Sequence, residues 1–213
     1  MARFSYQDAD NYGNSGSSNF FQLQKDGEKA RVRFMYRTAD DIEGVSVHEV
    51  QIGGKKRYVN CIREYNDPID KCPFCQANSK IIAKVFVPLY NVDTGEVLVW
   101  ERGKKFFPQL TELCSRTPNL VSQVFEITRH GDKNDTNTTY SPWPLGSPDN
   151  TRLEDLPEPV DIYAKGIVLN KTPEDMDYYS RYHEFPDRPQ QAAPQQDSQQ
   201  YTRRTPSRGD VFN

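Results

Sequence analysis

Lys29-Ala30-Arg31-Val32-Arg33-Phe34-Met35-Tyr36 is the stretch from which the fold class can be read. Ala30, Val32, Phe34 and Tyr36 share one face of an extended chain, while Arg31 and Arg33, followed by Arg37, share the other. A period of two is the mark of a strand with one side toward a core. Similar β-branched and aromatic runs recur at 45–51, 56–62, 82–92, 96–102, 121–129 and 160–169, and Asp93-Thr94-Gly95 between two of them predicts a hairpin turn. Helices interrupt this pattern at few places. Residues 104–115 put Phe107, Leu110, Leu113 and Cys114 on one side, with Pro108 in the first turn. A second helix is expected from Thr172, with Pro173 at its first position and Asp175 completing a capping box. A short helix is expected over 75–84. Many short strands, few helices and frequent turn signals predict a mainly β protein, a small Greek-key barrel or sandwich rather than a βαβ fold.

Composition limits how much of the chain joins that core. Of 213 residues, 35% are hydrophobic, and the mean hydropathy is −0.85. This predicts one domain with polar additions. A Ser-, Asn- and Gly-rich arm is expected at 1–19, a loop rich in Asp, Asn, Thr and Pro at 131–151, and a Gln- and Pro-rich tail at 186–213, leaving 20–185 as the core. The net charge of −3 is uneven: residues 149–187 carry 4 basic against 10 acidic side chains, whereas 1–148 carry 19 against 18. No signal peptide or transmembrane run is evident, so no membrane partner is expected. An isoelectric point near 5.7 lends no support to nucleic-acid binding, which needs only a basic groove.

His48, Cys61, Cys72 and Cys75 carry the clearest chemistry. Zinc in structural sites takes four nitrogen or sulfur ligands at about 2.0 to 2.3 Å, and Cys-Pro-Phe-Cys lets both sulfurs of a tight turn face one ion. The centre of the run from Gln51 to Lys56 is Gly53-Gly54, so a hairpin returns Cys61 to the side of His48. A redox pair would belong between a strand and a helix of a βαβ unit, which is absent, and a disulfide fits poorly in a chain with so few cysteines. A catalytic zinc keeps a position open for water; this set fills all four, so one structural Zn2+ is expected. Cys114 lies outside the spacing and is expected to pack as a small apolar residue.

Cations and rings alternate elsewhere. Trp100, Arg102, Lys104, Lys105 and Phe106 form one such run, Lys55, Lys56, Arg57 and Tyr58 a second, and Arg31, Arg33 and Tyr36 a third; Tyr90 and Arg129, on two further predicted strands, join them. Such mixtures suit single-stranded nucleic acid, because cations follow the phosphates and exposed rings stack on unpaired bases. Aromatic residues in strands also commonly face a core, and paired lysines commonly mark solvated turns, so composition leaves both readings open. His130 and His183 have no catalytic constellation around them. No enzyme is predicted, since Glu49 directly after His48 does not reproduce the His-x-Glu spacing of a zinc deaminase.

Together these residues resemble the zinc-containing single-stranded DNA-binding, or helix-destabilising, proteins of T-even bacteriophages. The likeness rests on His48, a gap of twelve, Cys61, a gap of about ten, then Cys72-Pro73-Phe74-Cys75-Gln76. It extends to the segment from Gly95 to Phe106 with its Gly103-Lys104-Lys105, and to Val32-Arg33-Phe34. It covers about residues 20–130. The resemblance implies an OB-fold, a five-stranded Greek-key barrel, with a zinc-binding subdomain inserted at about 45–84 and a basic cleft for single-stranded DNA. It further implies work in replication, recombination and repair in the cytoplasm of an infected bacterial host, replication or recombination partners met through the C-terminal region, and self-association on DNA. The family's basic N-terminal arm has no clear counterpart, since residues 1–19 hold only Arg3; Arg203-Arg204-Thr205-Pro206-Ser207 is a candidate substitute. The competing expectation is a zinc-stabilised module of the replication machinery that contacts proteins alone.

Overall fold

A computed structural model describes residues 19–186 apart from 134 and 136; the expected N-terminal arm, except Asn19, and the tail from 187 onward lie outside the described residues. Among the described residues the strands are β1 (Lys29–Phe34), β2 (Gly44–Ile52), β3 (Lys55–Asn60), β4 (Ile81–Asn91), β5 (Val97–Gly103), β6 (Phe125–His130), β7 (Thr139–Pro144) and β8 (Val168–Leu169). The α-helices are α1 (Pro73–Gln76), α2 (Phe107–Arg116) and α3 (Pro173–Tyr182). The protein is mainly β, with one large mixed sheet and a few short helices. Strand order is β7-β6-β1-β4-β2-β3-β8, with β5 also paired to β4. Only the β3–β8 pair is parallel among these ladders.

β4 organises the sheet. Its first half pairs with β2, its last residues pair with β1, and β5 pairs along residues 84–90. A strand enclosed this way needs apolar residues on both faces. Val85, Val87 and Leu89 enter the larger core with Val32, Phe34, Trp100, Leu110, Phe125 and Ile127. Phe86 turns the other way, to Val47, Val99, Ile167 and Val168. A third cluster joins Val50, Val59, Cys72, Phe74 and Cys75 to Met176 of α3.

Several elements differ from the sequence expectation. The helix expected over 75–84 is α1, ending at Gln76. Asn78 adopts φ 58°, and the bonds Ser79 N–H to Phe74 O and Asn78 N–H to Cys75 O close the helix. The β-branched Ile81 and Ile82 then begin β4. The loop expected at 131–151 contains β7, an edge strand where Pro142 and Pro144 are tolerated because their missing N–H groups can face away from the ladder. The strand expected at 160–169 shortens to β8. That at 121–129 begins at Phe125, after a 3-10 turn at Leu120–Ser122. The helix expected over 104–115 opens instead as a 3-10 turn at Lys104–Phe106, and α2 starts at Phe107 with Pro108 in its first turn as expected; α3 starts after Thr172 as expected, where Thr172 Oγ1 accepts from Asp175 N–H at 3.3 Å. Cys114 packs against the larger core. Among the described residues no helix is long and apolar enough to cross a membrane.

Arg33, pointing away from the core as predicted, is held by Asp149 and by the carbonyls of Val121 and Ser122. The guanidinium, aided by Thr151, holds the Asp149 carboxyl well below the usual carboxylate range. A carboxylate depressed in the folded state adds stability above its unfolded pKa of about 3.9 and loses it as pH falls further. Asp149→Asn should therefore lower the melting temperature at pH 7 slightly, by the equivalent of about 1 kcal/mol or less because the Asp149 carboxylate is half exposed to solvent. Melting curves of the two proteins should converge below about pH 4; a gap that stays constant with pH counts against the assignment.

Candidate metal centre

β2 and β3 are joined by Gly53 (φ 56°) and Gly54 (φ 75°), a two-residue turn in which both positions need left-handed backbone. The ladder pairs Val47 with Asn60 and His48 with Val59, and Cys61 N–H donates to Ser46 O at 2.8 Å. His48 and Cys61 thus meet at the open end of the hairpin. Cys72 precedes α1, Pro73 occupies its first turn and Cys75 lies within it.

The ligand atoms of His48, Cys61, Cys72 and Cys75 all lie within 4.8 Å of one another, close enough to hold a metal ion. Cys61 Sγ is 3.6 Å from Cys75 Sγ, and His48 Nε2 is 3.6 Å from both Cys72 Sγ and Cys75 Sγ. Tetrahedral zinc with ordinary bond lengths would separate two sulfurs by about 3.8 Å and a sulfur from a nitrogen by about 3.6 Å, so the donor set fits such an ion. His48 Nδ1 lies 3.2 Å from Ser79 Oγ. With Nε2 turned to the sulfurs, Nδ1–H donates to that hydroxyl and orients the ring, as ligating histidines commonly require.

Electrostatics favour a cation. Burial lowers the His48 pKa, keeping the imidazole neutral and its lone pair available. Burial, reinforced by the neighbouring Cys61, pushes the Cys75 thiol up to about 12, and burial also raises Cys61. Thiols crowded this way stay protonated at neutral pH until a metal displaces their protons. Phe74 meets His48 edge to face at 5.5 Å and Tyr179 of α3 at 5.7 Å. The Tyr179 hydroxyl donates to Gln51 O and accepts from Gln51 N–H. Helix α3 therefore closes over the metal half.

A cleft of about 810 Å³ opens beside this half. Lys80, Ile81, Ile82 and Ala83 lead into it from the knuckle, and Arg102, Lys104, Lys105, Phe106 and Tyr140 form the facing wall. Lys80, Lys104 and Lys105 are exposed, and none of the ion pairs among the described residues uses them.

Four of the residues expected to meet nucleic acid, Arg102, Lys104, Lys105 and Phe106, share this cleft. Three others are placed in the interior and correct the expectation. Trp100, 1% exposed, and Tyr36, 5% exposed, belong to the core and offer no free ring face. Arg129 is buried and donates to Leu23 O, Gly131 O, Asp132 O, Thr138 Oγ1 and the Tyr140 hydroxyl, which consumes its donors. Arg31 pairs with Asp93, Arg33 with Asp149 and Lys56 with Glu49. Tyr58 donates to Glu101 beneath the Lys84 ammonium. Lys55 and Arg57 are exposed on the β2–β3 hairpin, and Tyr90 is half-buried on β4. Sequence reasoning missed Tyr140, hidden in a Pro- and Asn-rich stretch, and Lys80, whose only signal was its place after the knuckle.

No protein-family model matches the chain, and no curated protein matches it.

Proposed function

We propose that this protein binds single-stranded DNA, largely without sequence preference, on an OB-type barrel whose metal-bearing insert, at about 45–84, holds one structural Zn2+. The observation that carries this reading is the cleft at the foot of the metal knuckle, with its unpaired Lys80, Lys104 and Lys105 and the rings of Phe106 and Tyr140. Unpaired cations gain from phosphates because binding releases condensed counterions, and rings add sequence-tolerant stacking. Zinc suits the donors, since three thiolates and an imidazole favour a soft tetrahedral ion without an open catalytic position. The role is to coat and protect single strands in phage replication, recombination and repair within the infected host's cytoplasm, with replication partners met through the C-terminal region.

Binding of oligo-dT measured against salt tests the reading. The logarithm of affinity should fall with the logarithm of salt by about 0.7 for each phosphate contacted. Joint Lys104→Ala and Lys105→Ala replacement should reduce that slope by about 1.4 while metal content and melting stay unchanged. A second reading, a metal-stabilised module that contacts only proteins, draws on Trp143, 71% exposed, and Leu145, 42% exposed, on and just beyond edge strand β7. A protein that ignores oligo-dT at low salt would favour that module.

A further inference from the structure

Arg102 stands apart from the other cations at the cleft. Its guanidinium carbon lies 3.9 Å from the centroid of the Tyr140 ring, 4.5 Å from that of Trp100 and 5.9 Å from that of Phe106. Among the described residues it pairs with no carboxylate: the adjacent Glu101 accepts from Lys84 and Tyr58 instead. Its Nε is buried and has no hydrogen-bond partner among the described residues, and the same holds for Nε1 of Trp100 beneath it. Buried donors are nearly always satisfied, so the Arg102 Nε–H at the cleft wall, without a partner among the described residues, suits an acceptor that enters the cleft. The arginine also covers a face of the half-buried Tyr140, the ring that sequence reasoning missed.

We infer that Arg102 is a latch over a nucleotide subsite: a phosphodiester oxygen of an incoming single strand draws the guanidinium off Tyr140, and the uncovered ring receives a base. This deepens, and rests on, the reading of the cleft as a single-strand site. A charge-assisted hydrogen bond to phosphate is stronger than a partly solvated cation–π contact, so the exchange runs toward the bound form. Burial depresses the Arg102 pKa, outweighing the opposing influence of Tyr140 and Glu101. Tyr140 stays in place because Arg129, fixed by its own carbonyl acceptors, donates to the phenol oxygen at 2.8 Å. One cation is thus free to leave while another holds the platform.

The test follows oligo-dT binding against salt for wild type, Arg102→Ala, Arg102→Lys and the distant control Arg181→Ala. Arg102→Ala should reduce the salt slope by about 0.7, one single-strand phosphate, and Arg102→Lys should restore the slope; the control should match wild type. Tyr140→Leu should weaken binding by about fivefold or more with the slope unchanged, as expected for a lost stack. Should Arg102→Ala fold poorly, the Arg102 Nε–H resonance of the wild-type protein, assigned by its loss in Arg102→Lys, must shift on addition of oligo-dT. Oligo-dT binding with an unmoved resonance, or with wild-type slope in Arg102→Ala, overturns the latch and leaves the cleft assignment standing. A wild-type protein that does not bind oligo-dT removes both.

Discussion

Cys72→Ser is expected to take the protein from one bound metal ion per chain to none and to lower its stability by about 4 kcal/mol or more. Structural zinc in small domains contributes about 10–16 kcal/mol of binding free energy that is also folding free energy, whereas a single hydrogen bond contributes about 1 kcal/mol. Here the metal half has a small apolar cluster of its own, Val50, Val59, Phe74 and Met176, so part of its structure is held independently and the loss falls below the full figure. For a domain of this size 4 kcal/mol corresponds to a melting shift of about 10 °C. Because Met176 packs with Cys72 and Cys75, the change should also loosen α3, making residues near 170–186 susceptible to protease. Chelation of the wild-type protein should reproduce both effects. Elemental analysis and melting curves check the expectation; a variant that retains metal, or a chelated protein that melts like the untreated one, contradicts it.

Trp100→Ala should cost about 3–5 kcal/mol of stability, the usual penalty for deleting a large buried ring. The indole meets Phe21, Phe106 and Tyr140 edge to face at centroid distances of 5.7, 4.9 and 5.2 Å, and the hole left by alanine cannot collapse without moving both cleft rings. Loss of oligo-dT binding in this variant should therefore accompany a lower melting temperature. Trp100→Phe should cost less, since Nε1–H has no acceptor to lose among the described residues. Chemical denaturation measures the difference. A Trp100→Ala protein with wild-type stability and weakened binding would return the ring to the role that sequence reasoning gave it.

Much of the metal site was legible because its donors are rare residue types at short spacing, and the Gly53-Gly54 turn supplied the one tertiary step needed to join His48 to Cys61. The mainly β class was legible from alternation in strands such as β1, where Val32 and Phe34 point inward and Arg31 and Arg33 outward. The cleft was only half legible. Lys104 and Lys105 advertise themselves by charge, but Tyr140 sits in a segment whose prolines and asparagines read as loop until β6 pairs with it.

The chain's own chemistry determined that a soft metal could be gripped by His48, Cys61, Cys72 and Cys75 and that short strands would dominate, since ligand identity and two-residue periodicity are local properties. Only the tertiary structure decided which rings and cations face water. Alternation assigns a side chain to one side of a strand but says nothing about whether that side is covered. On β4 and β5 both faces are packed, so Trp100 is buried in the core. Arg129 is consumed by carbonyl and hydroxyl acceptors that no local pattern announces, while Arg102 lines the cleft with a buried Nε–H that has no partner among the described residues.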